Sequence, residues 1–269
     1  MARVFADAGA QSLATAAQGN TQLTSFSVAF WIFRTATPAA TRQLIAATIA
    51  AAASAGWYIW LNLTTNLVTA GYPFTTADKT RISSTAPALN TWVHVIVVHN
   101  NTGTANTDFT FYFNGKSEAG TSSGTGSGTH DSTTATKLEI GSGNTGAAPP
   151  AQIGPVAIWN RVISPAEALA LAGGMHPTRF PEGLVEYFTM ESAQHEEGAF
   201  QKLFLVAGAT IPTNAAVNPP MEALPSPRGK TRIGRHFVPA TAGRTLFVQG
   251  ALDGIGGAGT ARFYPGQAA

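Results

Sequence analysis

The chain has 269 residues, 16 of them lysine or arginine and 14 aspartate or glutamate, so only 11% are charged and the net charge is +2, against about 25% charged in an average globular chain. With 28 glycines, 16 prolines and no cysteine, the composition excludes a coiled coil, a highly charged disordered chain, disulfides, thiol nucleophiles and Cys-ligated metal centres. No apolar run approaches the roughly 20 residues that cross a bilayer and no basic-then-apolar leader opens the chain, so no membrane partner is expected.

In chain order, the segments read as strands. Phe26-Ser-Val-Ala-Phe-Trp-Ile-Phe33 is apolar on both parities, as in a strand covered on both faces. Ala46 to Ala55 is rich in alanine, the best helix former, but Ile45 and Ile49 sit among alanines with no polar face. It reads as a strand running into a loop, with a short helix as the alternative. Gly56-Trp-Tyr-Ile-Trp-Leu-Asn62, Trp92-Val-His-Val-Ile-Val-Val98 and Asp108-Phe-Thr-Phe-Tyr-Phe113 follow. Asn114-Gly115 after the last run predicts a tight hairpin, since both central positions of a type I′ turn require positive φ. Thr121 to Thr136 is a low-complexity Ser/Thr/Gly stretch, expected as a flexible loop or a solvated hairpin tip. Lys137-Leu-Glu-Ile140 and Gly154-Pro-Val-Ala-Ile-Trp159 add two strands.

One helix is marked at both ends. Ser164-Pro-Ala-Glu167 is a capping box with proline at the first helical position, and Gly173-Gly174 supplies the stop. Gly183-Leu-Val-Glu-Tyr-Phe-Thr189 resumes strand character, with Lys202-Leu-Phe-Leu-Val206 as its expected partner. Pro212 to Pro227 reads as an extended linker. From Ser226 onward there are six basic residues and one acid, against ten basic and thirteen acidic before it. Within this tail, 233–238 and 245–249 are possible strands, and the Gly-rich run 254–259 lacks the lysine and hydroxyl of a phosphate loop.

The ordered set of segments resembles the concanavalin A-like, laminin-G-type jelly rolls. Arg3-Val-Phe-Ala-Asp-Ala-Gly-Ala-Gln-Ser-Leu13 resembles their first strand and Phe26-Ser-Val-Ala-Phe-Trp31 their second signature. Thr91-Trp-Val-His-Val95 with Phe111-Tyr-Phe-Asn-Gly115 resembles the paired central strands. Leu138-Glu-Ile-Gly141, Gly154 to Ser164 and the Glu167 helix resemble the closing strand and helix. The resemblance spans residues 1–225 and implies an all-β, two-sheet antiparallel sandwich of roughly twelve to fourteen strands with one short helix. Residues 226–269 have no counterpart and form a basic, Gly-rich C-terminal arm.

This fold hosts lectins, adhesion modules, glycosidases and structural domains alike, so activity must come from residues. A glycosidase needs two carboxylates across one groove, and the Glu-x-Asp-x-x-Glu string of laminarinase-type relatives is missing. Glu182, Glu186, Glu191, Glu196 and Glu197 read as edge charges, and no Gly-x-Ser-x-Gly elbow is present. Asp78, Asp108 and Asp131 stand too far apart in sequence to suggest a calcium loop, and no cofactor is expected. His94 and His99 differ by five positions and face opposite ways on one strand. His94 fills the family's structural-histidine slot, expected to be hydrogen-bonded, and His130 is expected to be exposed. Trp31, Trp92 and Trp159 are expected in the core.

Two readings remain. One is a non-enzymatic structural or display protein of a larger assembly, resembling phage virion-surface proteins such as capsid decorations or head fibres. Its partners would be copies of itself or other virion proteins, held through Arg228, Lys230, Arg232, Arg235, Arg244 and Arg262; thinly spread charge argues against nucleic acid. The alternative is a carbohydrate-binding adhesion module acting on cell-surface glycan. Its contacts would be Trp57, Trp60, Tyr72 and His130, with Tyr58 as a further aromatic and the 121–136 loop alongside.

Overall fold

Strand formation follows the β-branched and aromatic runs. In a computed structural model, residues 2–6, 11–15, 23–49, 52–130, 137–142, 148–190, 195–197 and 202–207 are described. The 212–227 linker, the two tail strands, the Gly-rich run and all six basic arm residues lie outside the described residues. The strands are β1 (Arg3–Phe5), β2 (Ser12–Thr15), β3 (Phe26–Arg34), β4 (Arg42–Ile49), β5 (Ala52–Leu61), β6 (Val68–Tyr72), β7 (Lys79–Ser83) and β8 (Trp92–His99). After them come β9 (Phe109–Phe113), β10 (Lys116–Glu118), β11 (Gly120–Gly124), β12 (Lys137–Gly141), β13 (Ala151–Trp159), the helix α1 (Pro165–Ala172), β14 (Leu184–Phe188), β15 (His195–Glu197) and β16 (Lys202–Ala207).

They form two sheets. One has seven strands in the order β1-β13-β3-β8-β9-β10, with β14 also paired to β13; the other has nine, β11-β7-β6-β5-β4-β12-β2-β16-β15. Every strand pairing is antiparallel. This is the all-β jelly-roll sandwich that the sequence implies.

Alternation builds the core. Phe26, Val28, Phe30 and Ile32 of β3 and Val93, Val95 and Val97 of β8 meet Trp57, Ile59 and Leu61 of β5 and Val68, Ala70 and Tyr72 of β6. Each such side chain contributes roughly 1.5–3 kcal/mol when fully buried. The outward face of the seven-stranded sheet has its own smaller cluster, in which Ile163, Ala168 and Leu171 cover Ala29, Ile96, Val98, Tyr112, Ala157 and Trp159. The capping box fixes that cover: the Ser164 hydroxyl accepts from the Glu167 N–H, and Glu167 accepts from the Ser164 N–H. Arg161 clamps the same carboxylate in fork geometry at 2.5 and 3.0 Å.

Several local expectations hold and several change. Asn114 and Gly115 both have positive φ and turn β9 into β10. The alanine-rich piece is not a strand ending in a loop: β4 runs to Ile49 and β5 already starts at Ala52, because pairing across the sheet outweighs helix propensity. Gly56 bends that hairpin at φ +78°, where a Cβ would meet the Ala47 carbonyl at 2.2 Å. The Ser/Thr/Gly stretch, expected as a loop or a hairpin tip, begins as an edge strand, β11 on β7, and its residues 131–136 lie outside the described residues. Lys202–Ala207 does not pair with β14. It adds to β2 in the other sheet, while β14 lies beside β13.

A buried cation ties one end of the sandwich together. Lys79, fully buried on β7, donates to the Asp108 carboxylate at 2.7 Å and to the Gly103 carbonyl at 2.5 Å. Its third contact is Nε2 of His99 at 3.2 Å. The other ring nitrogen of His99 faces the Thr24 carbonyl at 2.7 Å, and a carbonyl only accepts, so Nδ1 carries the proton and Nε2 accepts from Lys79. The ammonium also lies 5.6 Å from the Tyr72 and Phe74 ring centroids. Lys79→Met strands a buried carboxylate and is expected to lower the unfolding free energy by about 3–5 kcal/mol, whereas Lys79→Met combined with Asp108→Leu recovers most of it. Urea denaturation measures both; a Lys79→Met protein within 1 kcal/mol of the parent, on the order of an exposed pair, contradicts this account.

Candidate functional site

The candidate binding surface is the outward face of the nine-stranded sheet. On β5 the parity that sends Trp57, Ile59 and Leu61 into the core sends Tyr58 and Trp60 the other way. Their rings stack at 4.0 Å with an interplanar angle of 19°. Tyr58 lies flat over Gly71, its partner on β6, where an added Cβ would sit 2.0 Å from the ring. The Tyr58 hydroxyl reaches Asp78 at 3.1 Å, and burial together with that carboxylate pushes the phenol pKa up, so it stays protonated and donates.

Trp60 is half-buried and pairs across the sheet with Thr69. The indole N–H of Trp60 and the hydroxyl of Thr69 are both buried without a hydrogen-bond partner, two unmet polar demands on one cross-strand pair. The β5–β6 turn rises beside them. There Asn62 Oδ1 accepts from the backbone of Thr64 and Thr65 and from the Thr65 hydroxyl, which leaves these threonines exposed in a fixed array. The arrangement is a braced aromatic plate with a polar rim, suited to a flat, amphipathic ring rather than to an ion.

The other predicted contacts separate from it. Trp57 is 1% exposed and stacks on Phe26 at 5.1 Å, and Tyr72 is 2% exposed between Phe26 and His99, so neither faces solvent. Both are corrected to core residues by the same parity that exposes Trp60. His130 is half-buried rather than exposed: its ring stacks on Tyr72 at 3.9 Å, and it bridges to Phe74. Trp159 is buried as expected, and Trp31 is buried on the outward face of the seven-stranded sheet, but Trp92 is only half-buried there. Tyr58, Thr69 and the 62–66 turn became visible as a group only through the β5–β6 register.

His94 and His99 do face opposite ways: His99 joins the Lys79 cluster, and His94 stacks on Trp31 at 4.9 Å. The expected hydrogen bond of His94 is not made, since its Nδ1 is buried without a partner. Asp78 and Asp108 are committed to Tyr58 and Lys79, Asp131 lies outside the described residues, and no group of three metal-ligating side chains forms among the described residues. Glu186 is buried, Glu182 is exposed, Glu191 lies outside the described residues, and Glu196 and Glu197 sit on β15. No helix among the described residues is long and apolar enough to cross a membrane.

Comparison with known proteins sets this surface in a family. The profile of the concanavalin A-like lectin/glucanases superfamily matches residues 7–168, more than half of the chain. Among solved structures, a protein of Bacteroides ovatus inferred to be carbohydrate-binding superposes with a TM-score of 0.57 at 16% identity, covering 80% of this chain and 60% of its own. The chain therefore spans about 60% of that protein's length. A heptameric SAP-like pentraxin of Limulus polyphemus matches at TM-score 0.46 and 13% identity, over 64% of this chain and 81% of its own. The CBM40 of a Ruminococcus gnavus IT-sialidase, solved with α2,3-sialyllactose, matches at 0.43 and 13%, over 56% and 84%. No curated protein matches the sequence significantly.

The two strand histidines predict a pH response. Burial holds His94 at about 3 and His99 at about 4, both below the ordinary 6.5, with Lys79 adding to the shift of His99. The unfolded chain therefore binds protons that the folded chain refuses. Their contribution to stability is full above about pH 6.5 and is lost as pH falls toward 4. The melting temperature should fall steadily over that window, and His94→Gln should flatten the slope. A melting temperature unchanged between those limits contradicts the assignment.

Proposed function

Because this chain belongs to the concanavalin A-like lectin/glucanases superfamily, we propose that it is a carbohydrate-binding module that holds a glycan without turning it over. The observation that carries the reading is the half-buried Trp60 ring on the outward face, braced on Tyr58. A pyranose offers an apolar face of C–H groups and a rim of hydroxyls. The first packs on an aromatic ring, and the second finds partners at the plate's edge. Thr64 and Thr65 provide hydroxyls at that edge, and the unmet Trp60 N–H and Thr69 hydroxyl lie beneath it.

The superfamily's own description joins lectins to glucanases, and the Bacteroides ovatus protein with the same fold is inferred to bind carbohydrate. The use made of four of the described acids supports binding over hydrolysis. Asp78 braces Tyr58, Asp108 neutralises Lys79, Glu139 pairs with Lys137 at 2.5 Å, and Glu167 holds the helix start. These four are engaged in structural contacts, whereas a glycosidase keeps two carboxylates free across one groove. The family match favours this reading over virion display, whose anchoring residues all lie in the arm.

A glycan array probed with the full chain tests the reading. Trp60→Ala is expected to weaken the retained glycan at least about tenfold, roughly 1.4 kcal/mol or more, with little change in melting temperature. Tyr58→Phe should weaken it less, by loosening the brace. An array with no retained glycan, or a Trp60→Ala protein that binds as the parent does, removes the proposal.

A further inference from the structure

The Trp60 plate is open toward one edge of its sheet. On the β4 and β12 side, the outward residues Gln43, Ala46 and Glu139 are buried. On the other side the strand register sets Trp60 opposite Thr69, Thr69 opposite Ile82 and Ile82 opposite Thr121. Residues directly opposed in a sheet share a face, so these four form one outward row across β5, β6, β7 and β11. Thr69 is recessed, Ile82 is half-buried and Thr121 is exposed. Among the described strands β11 ends the sheet on this side.

Ile82 belongs to neither hydrophobic core cluster. It is an apolar side chain turned outward beside an edge. An edge strand is commonly guarded by a charged side chain, whereas β11 reads Gly-Thr-Ser-Ser-Gly. Ile82 stands two strands from Trp60, about 10 Å at the ordinary strand spacing. A single sugar ring does not span that distance, but a short chain of linked rings does. One ring packs its apolar face on the indole, the next on Ile82, and hydroxyls of the chain meet Thr121 at the edge.

Charge decides which sugars fit. The cations of β7 have the opposite parity from Ile82: Lys79 is buried on Asp108, and Arg81 donates to the Phe109 carbonyl. Two carboxylates flank the row instead. Asp78 accepts from the Tyr58 hydroxyl, and Glu118 accepts from the hydroxyl of Ser84, two residues past Ile82. A carboxylated or sulfated sugar on this row meets like charge and gains no cation from β7. We propose that Ile82 and Thr121 extend the plate into a second subsite, and that this face takes a neutral oligosaccharide rather than a single or an acidic sugar. The inference rests on the carbohydrate reading of the same face, which it narrows in length and in charge.

The full chain is tested on an array that prints neutral mono- to hexasaccharides beside their uronic-acid and sulfated counterparts, and each retained glycan is titrated by calorimetry. Neutral chains should be retained, with the trisaccharide bound at least about tenfold more tightly than the monosaccharide. Ile82→Lys should weaken the neutral trisaccharide about tenfold and admit uronic-acid chains that the parent ignores. Ile82→Thr keeps the β-branched shape and should lose affinity without that gain, and Thr121→Val should weaken the trisaccharide by less. Melting temperatures near the parent's show that the variants fold. Affinity that does not grow with chain length, acidic chains bound as tightly as neutral ones, or an Ile82→Thr protein that binds the trisaccharide as the parent does overturns the second subsite. In each of those cases a Trp60→Ala protein that no longer binds leaves the plate itself standing. An array with no retained glycan removes plate and subsite together.

Discussion

The packing of two sheets face to face is the constraint from which the surface chemistry follows. A strand has two sides, and once the inner side must interdigitate with the opposite sheet, the identity of every outward side chain is set. Trp57 enters the core and Trp60 leaves it for this reason alone, and His99 and His94 divide in the same way. Neither pair differs in chemistry, only in parity. The surfaces with unmet polar atoms are therefore by-products of an apolar interior, later available for binding.

One end of that interior is polar, and a side chain supplies its cation. Around Lys79 the Asp108 carboxylate, the Gly103 carbonyl, the neutral face of His99 and two aromatic rings converge on a single point. Oxygen ligands gathered in this way suit a metal ion; here the chain brings its own charge on β7. Asp108 is further fixed by the Thr102 hydroxyl and N–H. The sandwich end is thus closed by an internal ion pair that cross-links β7 to the turn before β9, while the adjacent residue Asp78 braces Tyr58. Burying such a pair contributes less to net stability than to fixing one arrangement.

What the sequence disclosed was local. The Asn114-Gly115 turn and the Ser164–Glu167 capping box depend on neighbours within four positions, and both are present as read. The order of apolar runs was enough for the two-sheet fold. Lys79 was illegible because its partner lies 29 positions away and KTRIS looks like a solvated strand. The pairing of β16 with β2 failed to show because a strand's neighbour is chosen across the whole chain. Trp57 and Trp60 both looked like plates because Trp57, Tyr58, Ile59 and Trp60 are apolar on both parities, so only β4 and β6 decide which way each points. His94 was readable as a structural histidine, but the hydrogen bond expected of its ring is not made at Nδ1.

The two outward faces differ in a way that bears on use. On the nine-stranded sheet the plate is flat, flanked by an exposed turn, and stabilised from beneath by a tyrosine–carboxylate contact. On the seven-stranded sheet there is instead a concave notch, edged by prolines and a helix end, with the His94 imidazole sunk into its wall. A flat plate offers contact area from one side, whereas the notch has room for about one water and keeps its imidazole out of reach of anything larger. Of the two outward faces, it is therefore the nine-stranded one that presents an aromatic ring beside an exposed polar turn.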